Sequence, residues 1–416
     1  MAFISIGAPG NPTIEVSFDY THDPTSSAYT WTDITPYVVS YQRDPIRANE
    51  FDQPGPAGAQ IVLRNDDARF TPDNASGPYY GGLKKYRRMR VRCKWAGVTY
   101  NRYWGFVLDW PQSWMEAGKD QTVTLQLVDA LTPLQTYDLR GQDFASELSG
   151  TAVSDALTVS GAWGSGTGAS PAWNLDAGIS TIVSSGTLTP GSFAQQRLKD
   201  IGASEMGLTF ADGGGTIQFH DRHHRLLDAA SIAAQGTIGD TAGAIRYVDP
   251  NPQYGDVWPI VQATPSGGTV AQVSMVDSGT AAFFQQTLTY PTAGQYLVSS
   301  ADEALAATQY LSNRYSSPVT RVDNVTAIGA HDTTTWPALL ALDTSDLVLF
   351  QRRFLDNGVV GGTISLNQIV EGYGDRVTIG QDWRVYFAMS PADTQRYWLA
   401  GDSVLSLAGE TTIGGY

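Results

Sequence analysis

The first 135 residues alternate apolar and polar side chains in the way that is typical of β-strands. In TIEVSFDY (13–20), Ile14, Val16 and Phe18 alternate with polar neighbours, which predicts a half-buried strand. Turn-rich segments separate this strand from the next ones, and helical periodicity is absent, so the region is predicted to be a small barrel or sandwich. The further strands are predicted at residues 36–43, 59–65, 89–110 and 122–131.

The middle of the chain has a different pattern, which predicts an α+β unit. Residues 144–159 predict one or two short helices, and a longer helix is predicted from Ser192, its expected N-cap, to about Gly207, with Phe193, Leu198 and Ile201 on its apolar face. LTFADGGGTIQFHDR (208–222) then predicts a hairpin whose turn is Asp212–Gly215. The Gly-rich GSGTG (164–168) lacks the Lys-Ser/Thr of a phosphate loop and is interpreted as a flexible connection.

The last third is predicted to return to β structure after one more helix. DPNPQYGDVWP (249–259) is expected to be a connection, and a helix is predicted over 302–315, capped by Ser299 or Ser300. Closing strands are predicted at 346–354, 363–373, 376–380, 383–389 and 395–407. A weak echo between RYWGFVLDW (102–110) and RYWLAGDSVL (396–405) raises the hypothesis of a duplicated β-barrel, one at each end of the chain.

Composition narrows the class of protein. The formal net charge is −15 and only 16% of residues are charged, which argues against a surface devoted to nucleic acid. Cys93 is the single cysteine, so an intrachain disulfide and a cysteine-based metal site are excluded. The start MAFISIGAPG has no basic segment of a signal peptide, and no apolar run is long enough to span a bilayer, so synthesis and assembly in a cytoplasm are expected.

Candidate chemistry is sparse, and the chain is predicted not to be an enzyme, with neither catalytic residues, nor a cofactor, nor an assigned metal site. His220, His223 and His224 cluster in HDRHH, where they either cap backbone groups, meet a neighbouring subunit or bind a metal. The run Asn65–Asp67 at a strand end favours a turn over a cation site. Scattered tryptophans leave sugar binding open, although most such residues are core or interface anchors.

The basic run KKYRRMRVRCK (84–94) is the strongest local anomaly, with seven cations in eleven residues of an acidic chain. Alternation predicts one face of apolar side chains, namely Met89, Val91, Cys93 and Trp95. The opposite face carries Arg88, Arg90, Arg92 and Lys94. Four neighbouring cations repel one another unless something acidic covers them. Loops of the same chain or a neighbouring subunit are favoured as that cover over DNA phosphate or bare solvent.

These segments resemble the tail proteins of long-tailed bacteriophages. The helix and hairpin at 192–222 are similar to a recurrent pattern in that family. The order of RDP, LRNDDARFTP, GPYY, the basic strand and GFVLDW resembles the N-terminal barrel of phage minor tail proteins. The block 346–407 is similar to their final barrel, so the resemblance covers most of the chain in order, and the subgroup that it suggests is the baseplate or tail-tip hub.

The resemblance implies a mainly β, hub-like fold of two small β-barrels that flank α+β domains. The implied divisions are an N-terminal barrel at 1–138, α+β domains at 139–250 and 251–335, and a C-terminal barrel at 336–416. In such hubs three chains form a ring of six barrels that continues a hexameric tail tube. The chain is therefore expected to be a structural virion protein of the tail tip. The expected partners are copies of itself, the tail tube or distal tail protein ring, the tape-measure protein, further tail-tip or fibre proteins, and genomic DNA only in passage through the lumen.

The residues expected at interfaces are Arg88, Arg90, Arg92 and Lys94, with Trp104 and Trp110 as anchors of the first barrel and Trp398 in the second. Many hubs carry a lysozyme, peptidase or spike after the second barrel, and wall-cutting activity is expected to belong to another protein here. Two alternatives remain open: a distal tail protein that forms a hexameric ring with one barrel per chain, and a carbohydrate-binding adhesin.

Overall fold

The structure is a computed structural model. It describes residues 3–24, 26, 28–48, 50, 52–113, 121–160, 172–254, 260–265, 271–274, 295–298, 300–305, 320–356, 358–392, 396–398 and 412–414. Five sequence predictions lie wholly or partly outside these ranges: the GSGTG connection, the connection at 249–259 after Tyr254, Ser299 as a helix cap, the helix beyond residue 305, and the strand beyond Trp398. The second half of the proposed echo, at 396–405, lies outside them except for its first three residues.

The strands of the N-terminal region are β1 (Thr13–Asp19), β2 (Thr32–Asp33), β3 (Val38–Arg43), β4 (Gly58–Arg64), β5 (Arg88–Trp95), β6 (Val98–Asp109), β7 (Gln112–Ser113) and β8 (Thr122–Val128). Those of the middle are β9 (Asp143–Phe144), β10 (Glu147–Leu148), β11 (Trp173–Leu175), β12 (Thr181–Ile182), β13 (Gly186–Thr187), β14 (Leu208–Ala211), β15 (Ile217–His220) and β16 (Gly236–Gly239). The later strands are β17 (Arg246–Tyr254), β18 (Ile260–Pro265), β19 (Ala271–Ser274), β20 (Gln295–Tyr296), β21 (Thr320–Ile328), β22 (Leu347–Asp356), β23 (Val359–Thr378), β24 (Arg384–Pro391), β25 (Arg396–Trp398) and β26 (Thr412–Gly414).

The helices are short. They are α1 (Ser149–Val159), α2 (Ala194–Glu205), α3 (His224–Leu227), α4 (Ala229–Ile232) and α5 (Trp336–Ala341), with 3₁₀ turns at Thr35–Tyr37, Thr132–Gln135, Gly329–His331 and Thr333–Thr335. Residues 301–305 are also helical, and the Ser300 hydroxyl accepts a hydrogen bond from the Asp302 amide at 3.1 Å, as one of the predicted caps requires. The chain is thus mainly β with an α+β middle, as predicted.

One large sheet joins the two ends of the chain. Its hydrogen-bonded order is β17-β21-β24-β23-β3-β4-β8-β6-β5-β1-β2, and β22 adds to it by pairing with β23. The link between the ends is the antiparallel pair β3–β23, in which Arg43 lies opposite Asp375. Among the described strands this path closes neither end into a barrel, so the two-barrel arrangement stays a prediction.

The hydrophobic core also runs through both ends. A single cluster of buried residues contains Ile14, Val91 and Leu125 from the N-terminal strands together with Val325 and Phe387 from the C-terminal ones. Alternation on β5 is as predicted, since Met89, Val91 and Cys93 are fully buried. The prediction of a half-buried β1 is wrong, because Glu15 and Ser17 on its polar face are fully buried as well.

The middle unit has its own core and packs on β6. Its second cluster brings Val153 of α1, Leu198 and Ile201 of α2 and Phe219 of β15 against Phe106 of β6. The predicted hairpin 208–222 is confirmed in the pairing of β14 with β15. Its Gly-rich turn lies against β6: a side chain at Gly215 would collide with the Trp104 ring, and glycine is required there also because its φ is +87°.

Several local predictions were wrong. The N-cap of α2 is Phe193 rather than Ser192, it makes no side-chain cap bond, and its ring is 41% exposed instead of lying on the buried face. Residues 363–373 and 376–380, predicted as separate strands, belong to the single 20-residue strand β23. Much of the expected connection at 249–259 is the edge strand β17, whose two irregularities in pairing with β21 accommodate its prolines.

A buried ion pair lies where the two ends meet. Both guanidinium nitrogens Nε and Nη2 of Arg102 on β6 donate to the carboxylate of Asp375 on β23, at 3.0 and 2.9 Å. Asp375 also accepts from Trp383 Nε1 at 3.0 Å, and Arg102 Nη1 donates to the Leu340 carbonyl. Arg43 donates to the Arg102 carbonyl at 2.7 Å. Burial alone would lower the pKa of Arg102, but attraction to the neighbouring Asp375 carboxylate raises it above its ordinary value.

Removal of Arg102 tests how strongly the stability of the fold depends on this ion pair. Arg102→Met leaves Asp375 buried without its cation, and we expect the free energy of unfolding to fall by about 3–5 kcal/mol, because an uncompensated buried charge is costly. The measurement is denaturant-induced unfolding followed by circular dichroism. The double variant Arg102→Met/Asp375→Leu should recover part of the loss.

The exposed Arg140→Met serves as the control, and it should leave the midpoint unchanged. Equal unfolding midpoints for Arg102→Met and the native chain would contradict a stabilising role for the pair.

Candidate assembly interface

The cationic face of β5 lies next to the outer edge of the large sheet. β5 pairs with β1, which in turn pairs with the two-residue strand β2. Register sets Glu15 of β1 directly opposite Arg92, and Ser17 opposite Arg90. Because these positions share one face of the sheet, a single carboxylate lies among the predicted cations.

Glu15 is the acidic cover that the basic strand needs. Its side chain is fully buried; Arg90 Nη2 donates to Oε1 at 3.0 Å, Arg92 contacts Oε2, and the Ser17 hydroxyl donates to Oε1. The cover of Arg90 and Arg92 therefore comes from the same chain, which was one of the alternatives. One carboxylate neutralises one of these two guanidiniums, so the face retains positive charge.

Arg88 is used inside the chain. The residue is 98% buried, and its guanidinium donates to the carbonyls of Pro24, Ser26 and Ala28 at 2.7, 2.5 and 3.2 Å. Burial lowers the pKa of Arg88 from its usual value. The residue thus holds the loop between β1 and β2 against the sheet, and its predicted role in contacts with a neighbour is not tested.

Aromatic rings extend the cationic face. The guanidinium of Arg90 lies 4.4 Å from the centre of the Trp31 ring, and Phe3 lies 5.6 Å from Arg92 and 5.7 Å from the ammonium of Lys94. Lys94 is exposed and carries its charge at the end of the strand. Cations flanked by rings are a composition enriched at protein–protein interfaces.

The three predicted tryptophans lie in different environments. Trp110 is 95% buried, donates to the Lys84 carbonyl at 3.1 Å and packs edge-on against Phe18. Trp104 packs against Phe106 and the hairpin turn of the middle unit. Trp398 lies in β25, and its side chain is outside the described part of the chain. The first two anchor their own chain, and contact with a neighbour stays a prediction for all three.

The histidine cluster stabilises the junction of the middle unit. The Asp221 carboxylate accepts from the amides of His223 and His224, and His224 Nδ1 lies 2.9 Å from Asp176. His220 stacks on His224 with ring centres 3.5 Å apart, and burial lowers the pKa of His220 to about 3. Within the described ranges no group of three potential ligands could hold a metal ion. Asn65, similarly, closes a turn with Ala68.

A second buried carboxylate joins three parts of the chain. Glu371 on β23 is fully buried and contacts Arg47 from the loop after β3. It also accepts two hydrogen bonds of 2.8 Å from Arg225 of α3, and one from the Ser390 hydroxyl on β24. The middle unit is thereby fixed to both ends of the large sheet.

Burial raises the pKa of two further acids, Asp346 and Asp129. Asp346 accepts from the Asp343 amide at 2.8 Å, and burial raises its pKa from 3.8 to about 7. Burial also raises the pKa of Asp129 to about 6, although its carboxylate accepts from the amides of Ala57 and Leu131. The pKa values of both acids therefore lie near neutral pH.

Solved structures with a similar fold include two tail proteins. The first is a 43 kDa tail protein of prophage MuSo2 from Shewanella oneidensis, with a TM-score of 0.51 and 13% identity over 91% of this chain and 97% of that chain. The second is a tail protein from Neisseria meningitidis MC58, with a TM-score of 0.56 and 9% identity over 92% and 96%. The chain has the tail-protein fold. No family model matches the sequence, and no curated protein matches it.

The tail-protein fold of this chain contains, in the ranges that the structure describes, no helix of the length and apolarity needed to cross a bilayer.

The burial of Glu371 and Asp375 of this chain was not predicted from the sequence. Glu371, Tyr373, Asp375 and Val377 occur at every second position of β23, so they share one face. Val377 and Tyr373 mark that face as buried, and this alternation was the signal that the two acids would need cationic partners. The partners themselves lie far away in sequence, and only the fold brings them together.

Neutralising Asp346 tests the origin of its raised pKa. An acid whose pKa is higher in the folded than in the unfolded chain contributes stability that is complete below about pH 4 and is lost as the pH rises through 7. Asp346→Asn removes that loss. We expect the variant to gain stability relative to the native chain between pH 5 and pH 8, measured by urea unfolding at both values.

Asp66→Asn, at an exposed position, serves as the control. Its free energy of unfolding should differ from that of the native chain by the same amount at both pH values. A difference between Asp346→Asn and the native chain that does not change with pH would argue against a buried, protonated Asp346. Asp129 should leave some pH dependence in every variant.

Proposed function

We propose that the protein is a structural component of a bacteriophage tail tip, and that three copies form a hub ring with pseudo-sixfold symmetry. The ring joins a hexameric tail tube to distal tail-tip proteins and leaves a channel through which DNA passes. The observation that carries this proposal is the tail-protein fold, which is shared over more than nine tenths of two solved tail proteins.

The continuous sheet supports the idea that each copy supplies two β units. The N-terminal and C-terminal strands are tied by the β3–β23 pair and by the buried Arg102–Asp375 contact. A chain whose two β regions keep a fixed relative orientation can present two similar surfaces to a sixfold partner, whereas two freely linked domains could not. Whether each region closes as a barrel in the assembly is part of the proposal.

The interface residues proposed for the ring are those of the cationic face. Arg90 and Arg92 share one buried carboxylate, and Lys94 is exposed beside Phe3. Because the whole chain carries a net charge of −15, a neighbouring copy offers carboxylates to this face. This face is supported by residues that stay inside the chain: Arg88 holds the loop between β1 and β2, and Trp104 and Trp110 pack in the core. Trp398 is proposed as an interface anchor in the second β region.

Particle symmetry is the decisive measurement. Purified protein, or virions of the phage that encodes it, should give a ring with three chains by multi-angle light scattering and threefold averages by electron microscopy. Six chains per ring would instead support a distal tail protein. Binding of host glycans by the isolated chain, without ring formation, would support an adhesin.

Charge reversal on the cationic face tests the interface. Lys94→Glu should weaken ring formation about tenfold or more while leaving the thermal melting curve unchanged, since the ammonium is exposed and Glu15 is satisfied by the two arginines. Sedimentation velocity over a range of salt concentrations measures the effect.

The matched control is Lys85→Glu, which changes the net charge equally at another exposed position of the basic run. Equal weakening by both variants would mean that net charge, and not this face, governs assembly.

A further inference from the structure

Strands β22 and β23 extend beyond the strands that flank them. β16 pairs with β22 only as far as Gln351, and β24 pairs with β23 only from Gln368 onward. Between these limits β22 and β23 continue to pair with each other from Arg352–Ile364 to Asp356–Val359. Five residues of strand span about 17 Å. We call residues 352–356 and 358–364 the projecting hairpin.

The projecting hairpin exposes large apolar side chains. Leu355 and Val359 are each 70% exposed, Phe354 is 44% exposed and Ile364 is 43% exposed. Earlier in the same strand, Val348 and Phe350 are at least 98% buried, so the change from core to solvent occurs where the flanking strands stop. Apolar side chains of this size that are exposed on one hairpin mark it as a site of association.

One edge of the projecting hairpin is blocked, and the other is open as far as the described strands are concerned. On the β22 side, the Arg353 amide donates to the Asp240 carboxylate at 2.9 Å, and the Arg353 guanidinium donates to the Asp240 carbonyl. On the β23 side, no described strand pairs with Val359–Leu366. An open strand edge offers its N–H and C=O groups to another chain.

The hairpin also lacks the support that a two-stranded ribbon needs. Such a ribbon is marginally stable in water by itself, and a third strand or a packed face stabilises it. Phe354 supplies one internal contact, because its ring lies over Gly362, where a Cβ would come within 2.8 Å. Despite that contact, Leu355, Val359 and Ile364 remain 70%, 70% and 43% exposed.

We propose that the projecting hairpin packs against a second copy of this chain, with the open edge at Val359–Leu366 as the docking edge. Charge favours another copy as the occupant, because Arg352 is exposed at the base of the hairpin and the chain as a whole is strongly acidic. The inference rests on the proposed ring and identifies the element that connects its copies.

Site-specific crosslinking tests the occupant directly. Cys93 is fully buried, so Leu355→Cys introduces the accessible thiol to which benzophenone maleimide can be attached. Irradiation of an assembled mixture of ¹⁴N- and ¹⁵N-labelled protein should give covalent dimers whose crosslinked peptides combine the two labels. Crosslinks confined to one label in a product of monomer mass would mean that the chain covers its own hairpin, and would overturn the inference.

Paired substitutions measure the contribution of the apolar side chains. Leu355→Lys/Val359→Lys should weaken self-association about tenfold or more, as loss of a central interface anchor does, with an unchanged melting curve. The matched control is Leu227→Lys/Ile232→Lys, which changes two other apolar residues that are 50% and 59% exposed. The control should assemble normally.

The outcomes of these experiments distinguish failure of the hairpin interface from failure of the proposed hub function. Two results together would overturn the hairpin interface and leave the hub intact. The first is a ring of three that still forms with Leu355→Lys/Val359→Lys, and the second is that crosslinks from position 355 of the separate Leu355→Cys protein miss the neighbouring copy. A chain that remains monomeric at every concentration overturns both.

Discussion

The ion pair between Arg102 and Asp375 is the contact on which the arrangement of the chain depends. Burying two charges costs several kcal/mol each, and only close geometry together with further hydrogen bonds offsets that cost. Here the carboxylate also accepts from Trp383, and the guanidinium also donates to Leu340. A small rotation of one end of the chain against the other would leave charges unpaired, so the pair selects one arrangement more than it adds stability.

The same principle operates at the other buried carboxylates. Glu371 joins the loop after β3, α3 and β24, and Glu15 joins β1 to two arginines of β5. Each acid lies on a strand, and its cations lie on elements other than that strand. Only 16% of the residues of this chain are charged. A notable part of them therefore lies inside the molecule, where their ion pairs fix the relative positions of the strands, loops and helices that they join.

The sequence allowed the local structure to be predicted better than the long-range structure. Alternation in residues 89–95 gave the correct faces of β5, and the Gly-rich turn at Asp212–Gly215 gave the correct hairpin. The continuous sheet was not predicted, because nothing local in β3 indicates that its second edge pairs with β23. The burial of Glu15 was missed for a similar reason: period-two alternation identifies the polar face of β1, whereas the layer that covers this face comes from Arg90, Arg92 and their aromatic neighbours.

The pairing of β3 with β23 has a consequence for synthesis of the protein. Arg43 leaves the ribosome long before Asp375, and at ~5–20 residues per second the interval is on the order of tens of seconds. Throughout that time the nascent chain carries β3 with one edge unpaired, and such an edge invites aggregation. Contact order this high also slows the search for the native state. A chaperone that shields nascent β-strands would therefore help this chain more than one whose ends fold separately.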